Sequence, residues 1–103
     1  MTDRLEQLEK LFEADDQDPF ITYGIALEHS KQANYDQAIE WLDRTLSIDS
    51  KYCYAYYQKA KAQSEMGDVD TARQTIRDGI SAATSSGDEH AREELMTLLD
   101  TLG

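Results

Sequence analysis

Two successive 34-residue segments of this chain carry the same kinds of residue at the same places, and that period restricts the fold more than any other feature. When residues 19–52 are set over 53–86, Tyr23 falls on Tyr57, Ala26 on Ala60, Ser30 on Ser64, Asp36 on Asp70, Ala38 on Ala72 and Ser47 on Ser81. Phe20/Tyr54, Ala33/Gly67, Asn34/Asp68, Leu42/Ile76 and Leu46/Ile80 are near matches. A fixed period of this length marks supersecondary units stacked side by side, an architecture that holds other proteins more often than it runs reactions.

The repeated unit is helical. One proline and five glycines in 103 residues leave long uninterrupted runs, and six segments carry apolar residues at helical spacing behind a capping residue. The first starts at Asp3, with Glu6 completing a capping box, and places Leu5, Leu8, Leu11 and Phe12 on one stripe. Asp18-Pro19 restarts the chain as N-cap and first helical residue, for a helix to about Gln32. Asn34 with Gln37 is expected to cap the third, and Ser50 a fourth over about 51–66. Asp68 caps a fifth to about Ala83, followed by the turn-like run Thr84-Ser85-Ser86-Gly87. Ser86 with Glu89 then caps a last helix bearing Ala91, Leu95, Leu98, Leu99 and Leu102.

The chain therefore reads as one all-α domain over 1–103: a leading helix (3–14), two hairpin repeats (19–52 and 53–86) and a C-terminal capping helix (87–102). A lone hairpin cannot bury its own apolar faces, which gives the two odd helices their purpose as end covers.

Charge narrows the function. Twenty-one acids against ten bases give −11, a balance that repels phosphate backbones and anionic lipid and so disfavours nucleic-acid and membrane partners. No helix carries the basic face of a helix-turn-helix reader. The opening Met1-Thr2-Asp3-Arg4 lacks the apolar core of a secretory signal, and the single Cys53 suits a reducing cytoplasm, the expected location. The acids crowd toward both ends and leave the second repeat nearly neutral.

With these residues in place, the chain resembles the tetratricopeptide repeat family over residues 19–86. Ala33-Asn34-Tyr35-Asp36-Gln37-Ala38-Ile39-Glu40 is very like that family's turn and second-helix entry, and Gly67-Asp68-Val69-Asp70-Thr71-Ala72 repeats it. Asp18-Pro19-Phe20 and Leu46-Ser47-Ile48-Asp49 are also similar, and the layout resembles small stand-alone bacterial members. Departures are Ser50 and Thr84 where the family has proline, His29 and Gln63 in place of an aromatic, and Lys59 where leucine is common.

The resemblance implies that the first helix of each repeat lines a concave face. Phe20, Tyr23, Leu27, Ser30 and Lys31 would form one wall of that groove, Tyr54, Tyr57, Lys61, Ser64 and Glu65 the other, with Tyr52 at the junction. Tyrosine offers large contact area and a hydroxyl at low entropic cost. The implied function is non-enzymatic binding of a protein or peptide, by a monomer or weak homodimer with no cofactor. The family's carboxylate clamp for chaperone tails needs basic and amide donors where Tyr23, Leu27 and Tyr57 stand, which leaves Lys61 without the second cation a two-point grip requires. An alternative is an assembly protein whose terminal amphipathic helices pair between chains.

Catalytic and metal readings are poorer. His29 and His90 lie on different helices, with His29 expected to be packed and His90 solvated. Cys53, beside Lys51 in a first turn, reads as an inert surface thiol. Asp15, Asp16 and Asp18 lack the glycine and distal glutamate of a calcium loop and read better as helix capping.

Ala26, Ala38, Ala60 and Ala72 sit where the paired helices must approach closely, so a larger side chain there would force their axes apart. Ala38→Leu or Ala72→Leu is expected to destabilise the chain by about 1–3 kcal/mol through overpacking, measured by urea unfolding.

Overall fold

In the computed structural model, which describes residues 3–103, six helices follow one another: α1 (Asp3–Ala14), α2 (Pro19–Lys31), α3 (Tyr35–Ile48), α4 (Cys53–Glu65), α5 (Val69–Ser86) and α6 (Glu89–Thr101). Met1-Thr2 lies outside the described residues, as does the side chain of Asp3 expected to cap α1. The remaining starts follow the chemistry of the caps. An Asp18 carboxylate oxygen accepts from the Phe20 N–H at 2.9 Å with Pro19 in the first turn, Asp68 accepts from Thr71 at 3.3 Å, and Asp88 from Ala91 at 3.1 Å.

Three expected caps are corrected. Asn34 stands at the N-cap of α3 but makes no side-chain capping bond. Tyr52, not Ser50, precedes α4, and the Ser50 carbonyl instead accepts from the Tyr56 hydroxyl at 2.9 Å. Thr84, Ser85 and Ser86 continue α5 rather than forming a turn, and the Ser86 hydroxyl bonds back to the Ala82 carbonyl at 2.9 Å instead of capping; Asp88 caps α6 in its place.

Three helices, α2, α4 and α5, end alike. Asn34 N–H reaches the His29 carbonyl, Asp68 that of Gln63 and Asp88 that of Ala83, each at 2.9 Å, around a left-handed residue. That residue is Gly67 (φ 86°) and Gly87 (φ 74°) in two cases, but Ala33 (φ 60°) in the first, which accepts a Cβ in a conformation glycine adopts freely.

Packing follows chain order. α2 lies against α3 and α4 against α5 as the two closest pairs, α1 covers α2, α3 meets α4, and α5 meets α6. The backbones of α2 and α4 also touch, as do those of α4 and α6, whereas α1, α3 and α5 stay apart from one another. The row α2–α4–α6 is therefore the inside of the curve. On the outside, Phe12 and Trp41 fill the gap between α1 and α3 edge to face at 5.0 Å, with the Arg44 guanidinium over both rings.

The core is a chain of three patches: Leu8, Ile21 and Ile25; then Ala26, Leu42 and Ala55; then a larger one around Ala60, Ala72, Ile76, Ala91 and Leu95. Ala26, Ala38, Ala60 and Ala72 are all fully buried. Leu98, Leu99 and Leu102 pack on the third patch, so the leucine stripe of α6 closes this end of the stack. Leu11 departs from the α1 stripe and is 52% exposed, outside the patch that Leu5, Leu8 and Phe12 form with α2 and Trp41.

The residues that break the repeat find their own partners. Gln63 is buried and accepts from the Thr75 hydroxyl at 2.7 Å, and Lys59 pairs with Asp43 of the preceding hairpin at 2.7 Å. His29 is buried as expected, with Nδ1 lacking a hydrogen-bond partner. At one buried level the first hairpin places the hydroxyls of Thr22 and Thr45 2.7 Å apart, while the second has Tyr56 against Gly79. A Cβ on Gly79 would lie 2.7 Å from Cβ of Tyr56 and 3.1 Å from a Leu95 methyl. Glycine to alanine inside a helix ordinarily stabilises by about 0.5–1 kcal/mol. Here Gly79→Ala is expected to destabilise by about 1–3 kcal/mol, with the loss smaller in a Tyr56→Gly background, which removes the Cβ it meets; urea melts of the double-mutant cycle measure both.

Candidate functional site

The inner row brings the first helices of both hairpins and the last helix onto one face. On α4, successive turns place Tyr54, Tyr57 and Lys61 together: the two rings are 6.4 Å apart, and Lys61 Nζ lies 5.8 Å from the Tyr57 ring centre. Lys61 makes no ion pair among the described residues, although Glu65 is one turn away. On α2 the expected wall is less uniform. Tyr23 packs at 4.9 Å on Tyr52, half-buried over the Ala26, Leu42 and Ala55 patch, at the seam between hairpins. Leu27 is half-buried, Phe20 is 65% exposed at the start of the helix, and Lys31 bonds Glu28 at 3.1 Å, itself 3.8 Å from Arg4 of α1.

Two hollows interrupt this face. One, of about 290 Å³, lies between the hairpins and is lined by Ser30, Tyr35, Gln58, Lys61, Ala62 and Glu65. The other, of about 410 Å³, lies between α4 and α6 and is lined by Tyr57, His90, Glu93, Glu94 and Thr97. The α6 residues were not expected at the site. The 34-residue alignment ends at residue 86, so α6 reads as a plain cover; the signal available was its place as the third helix of the inner row.

The chemistry of the remaining groups is structural. Cys53 is buried rather than on the surface, its Sγ 3.3 Å from the Lys51 carbonyl. Burial pushes its thiol up from 9.0, a hydrogen bond with Ser86 opposes that, and Asp88 and Asp49 add to it, so the thiolate is not favoured. His90 is exposed and 2.9 Å from Glu94. Asp15 accepts from the Gln17 N–H at 3.1 Å, and among the described residues no group of three His, Cys, Asp or Glu is arranged to hold a metal ion. No described helix is long and apolar enough to cross a membrane.

Burial raises the phenol of Tyr52, with Tyr23 and then Asp18 and Asp49 adding to it, and burial raises that of Tyr54, with Glu94 and Asp88 adding to it. Tyr56 is raised by burial, then by Asp78, Cys53 and Asp49. Tyr23 is raised by burial against an opposing bond from Gln58.

Such a stack of antiparallel hairpins with a continuous inner helix row is an α-solenoid of the helical-repeat class. Residues 22–52 match one tetratricopeptide repeat profile and residues 41–74 another, the second bridging α3, α4 and the start of α5. TPR repeat-containing protein PA0015 of Pseudomonas aeruginosa is 28% identical over 98 residues, 95% of this chain and 93% of that protein. Protein BPP2914 of Bordetella parapertussis, known from a solution structure, superposes with a TM-score of 0.83 at 26% identity, over 95% of this chain and 85% of the other. PcrH, crystallised with the chaperone binding region of PopD, shares the fold with a TM-score of 0.87 at 16% identity, over 95% of this chain and 74% of its own. The chain belongs to the tetratricopeptide repeat family, whose members are generally interaction modules rather than enzymes.

An acid held above its ordinary value keeps its proton in the folded chain after the unfolded chain has lost it, and folding is then opposed. The stability contributed by the neutral thiol and phenols is thus complete below about pH 9 and falls as pH rises past 9.0 for Cys53 and 10.0 for the tyrosines. Urea midpoints taken from pH 7 upward are expected to decline above pH 9, with the first part of the decline flattened in Cys53→Ala.

Proposed function

We propose that this chain is a non-enzymatic interaction module that holds a segment of another protein along the inner face of α2, α4 and α6. The observation that carries this reading is the set Tyr54, Tyr57 and Lys61, gathered on one side of α4 in the middle of that face with their rings and ammonium incompletely buried. Phe20, Tyr23, Leu27 and Lys31 extend the surface along α2. Aromatic groups that sit between two hollows suit a short extended segment with apolar or aromatic anchors, and stacking keeps the face pre-formed, which lowers the entropy lost on binding. Support from likeness comes from the family and from PcrH, a protein of the same fold whose crystal structure contains a bound region of PopD.

The net charge of −11 argues against nucleic acid and anionic membranes as partners. Pairing of chains through terminal helices has less support, because the α6 leucines are engaged with the third core patch.

Selection from a displayed library of random dodecapeptides is expected to yield peptides that shift the amide resonances of α2 and α4. Tyr57→Ala should weaken them about 5- to 30-fold while leaving the helical circular dichroism unchanged. Selected peptides that bind elsewhere, or bind Tyr57→Ala as well as wild type, would overturn the groove. Tyr23→Ala is expected to lower both affinity and stability, since that ring also seals the hairpin seam.

A further inference from the structure

The two hollows on the inner face differ in chemistry. The one between the hairpins contains Lys61 and Glu65, opposite charges one helical turn apart. The one between α4 and α6 contains Glu93 and Glu94 with no lysine or arginine in its lining. Glu93 makes no ion pair among the described residues, and Glu94 has the His90 imidazole and a hydrogen bond from the neighbouring Tyr54 hydroxyl. Tyr57 forms the wall across from these carboxylates, with Tyr54 beside it.

Tyrosine faces set beside carboxylates favour cations on two grounds. The ring quadrupole attracts a positive group over its face, and a carboxylate covered by an apolar or anionic ligand loses hydration without recovering a partner. The protein displays the first of these within itself, since Lys61 Nζ rests 5.8 Å from the centre of the Tyr57 ring. The excess of acids over the whole chain adds long-range attraction for a basic segment.

We infer that the α4/α6 end of the inner face takes a lysine or arginine side chain of the bound protein segment, seated against Tyr57 and paired with Glu93 and Glu94. This rests on the groove reading above and adds a polarity to it: the basic residue lies at the α6 end, while Lys61 leaves the middle open to an acidic or hydroxyl-bearing neighbour. The hollow of about 410 Å³ is wide enough to seat a flexible cationic side chain together with water.

The test uses dodecapeptides selected on the intact chain and measured by fluorescence anisotropy against wild type and Glu93→Gln/Glu94→Gln, at low and high salt. Both glutamates are at least partly exposed, and neither lies in a core patch, so the double variant is expected to fold as wild type does. Selected peptides enriched in lysine or arginine, weakened about fivefold or more by the double substitution and bound less tightly at high salt, support the inference. Peptides that bind the inner face and lose affinity in Tyr57→Ala, yet carry no basic preference and bind the double variant equally, overturn this inference and leave the groove intact. If no selected peptide perturbs the inner face, both fall.

Discussion

The close packing of α2 on α3 and of α4 on α5, with Ala26, Ala38, Ala60 and Ala72 fully buried, is the constraint on which the rest of the molecule depends. With the axes this close, the apolar residues cannot all face the partner within the hairpin, and a flank remains open on each unit. α4 covers the flank of the first hairpin, α6 that of the second, and α1 the front of α2. Three small core patches in series replace a single centre, each made by elements adjacent in the chain. Contacts of this kind are local, and the stability of such a stack is set by the junctions between neighbours.

Curvature comes from unequal side chains on the two rows. On the inside, α2 touches α4 and α4 touches α6. On the outside, bulk such as the Phe12–Trp41 pair holds α1 and α3 apart. The concave side therefore has its tyrosines on a surface stiffened from behind, where Tyr56 is tied to the Ser50 carbonyl and Lys59 to Asp43. Tyr23 and Tyr52 pack on the second core patch and Tyr54 and Tyr57 on the third, so these rings serve the fold as well as the face.

Much of this was legible in the residues. The 34-residue period, the alanines and the aspartate caps are local signals, and each acts within a few residues of itself. The Ser86 cap misled because a serine hydroxyl can bond backward as well as cap: within α5, which runs through a stretch that looks like a turn, Ser86 bonds the carbonyl of Ala82. Burial of Cys53 was hidden for a different reason, since its cover comes from distant Ser86 and from α6, which no spacing rule reports. At the site, the α4 cluster could be read because it lies on one helix. The acidic hollow joins α4 to α6 across a segment that breaks the period, and only packing brings the two together.

The differences between the repeats divide by whether they are compensated. Thr22 and Thr45 become Tyr56 and Gly79 in the second unit, a gain in volume on one helix met by its removal on the facing one. His29 and Trp41 become Gln63 and Thr75, and the smaller pair closes with a buried hydrogen bond. Buried positions can change only in such pairs, because an unmatched change leaves a void, a clash or an unbonded polar atom. Phe20/Tyr54, Leu27/Lys61 and Lys31/Glu65 show no matching change on α3 or α5. These side chains are half-buried or exposed, so solvent can take up the difference. On the proposed reading of the inner face, divergence that no buried partner compensates is where one bound segment would be distinguished from another.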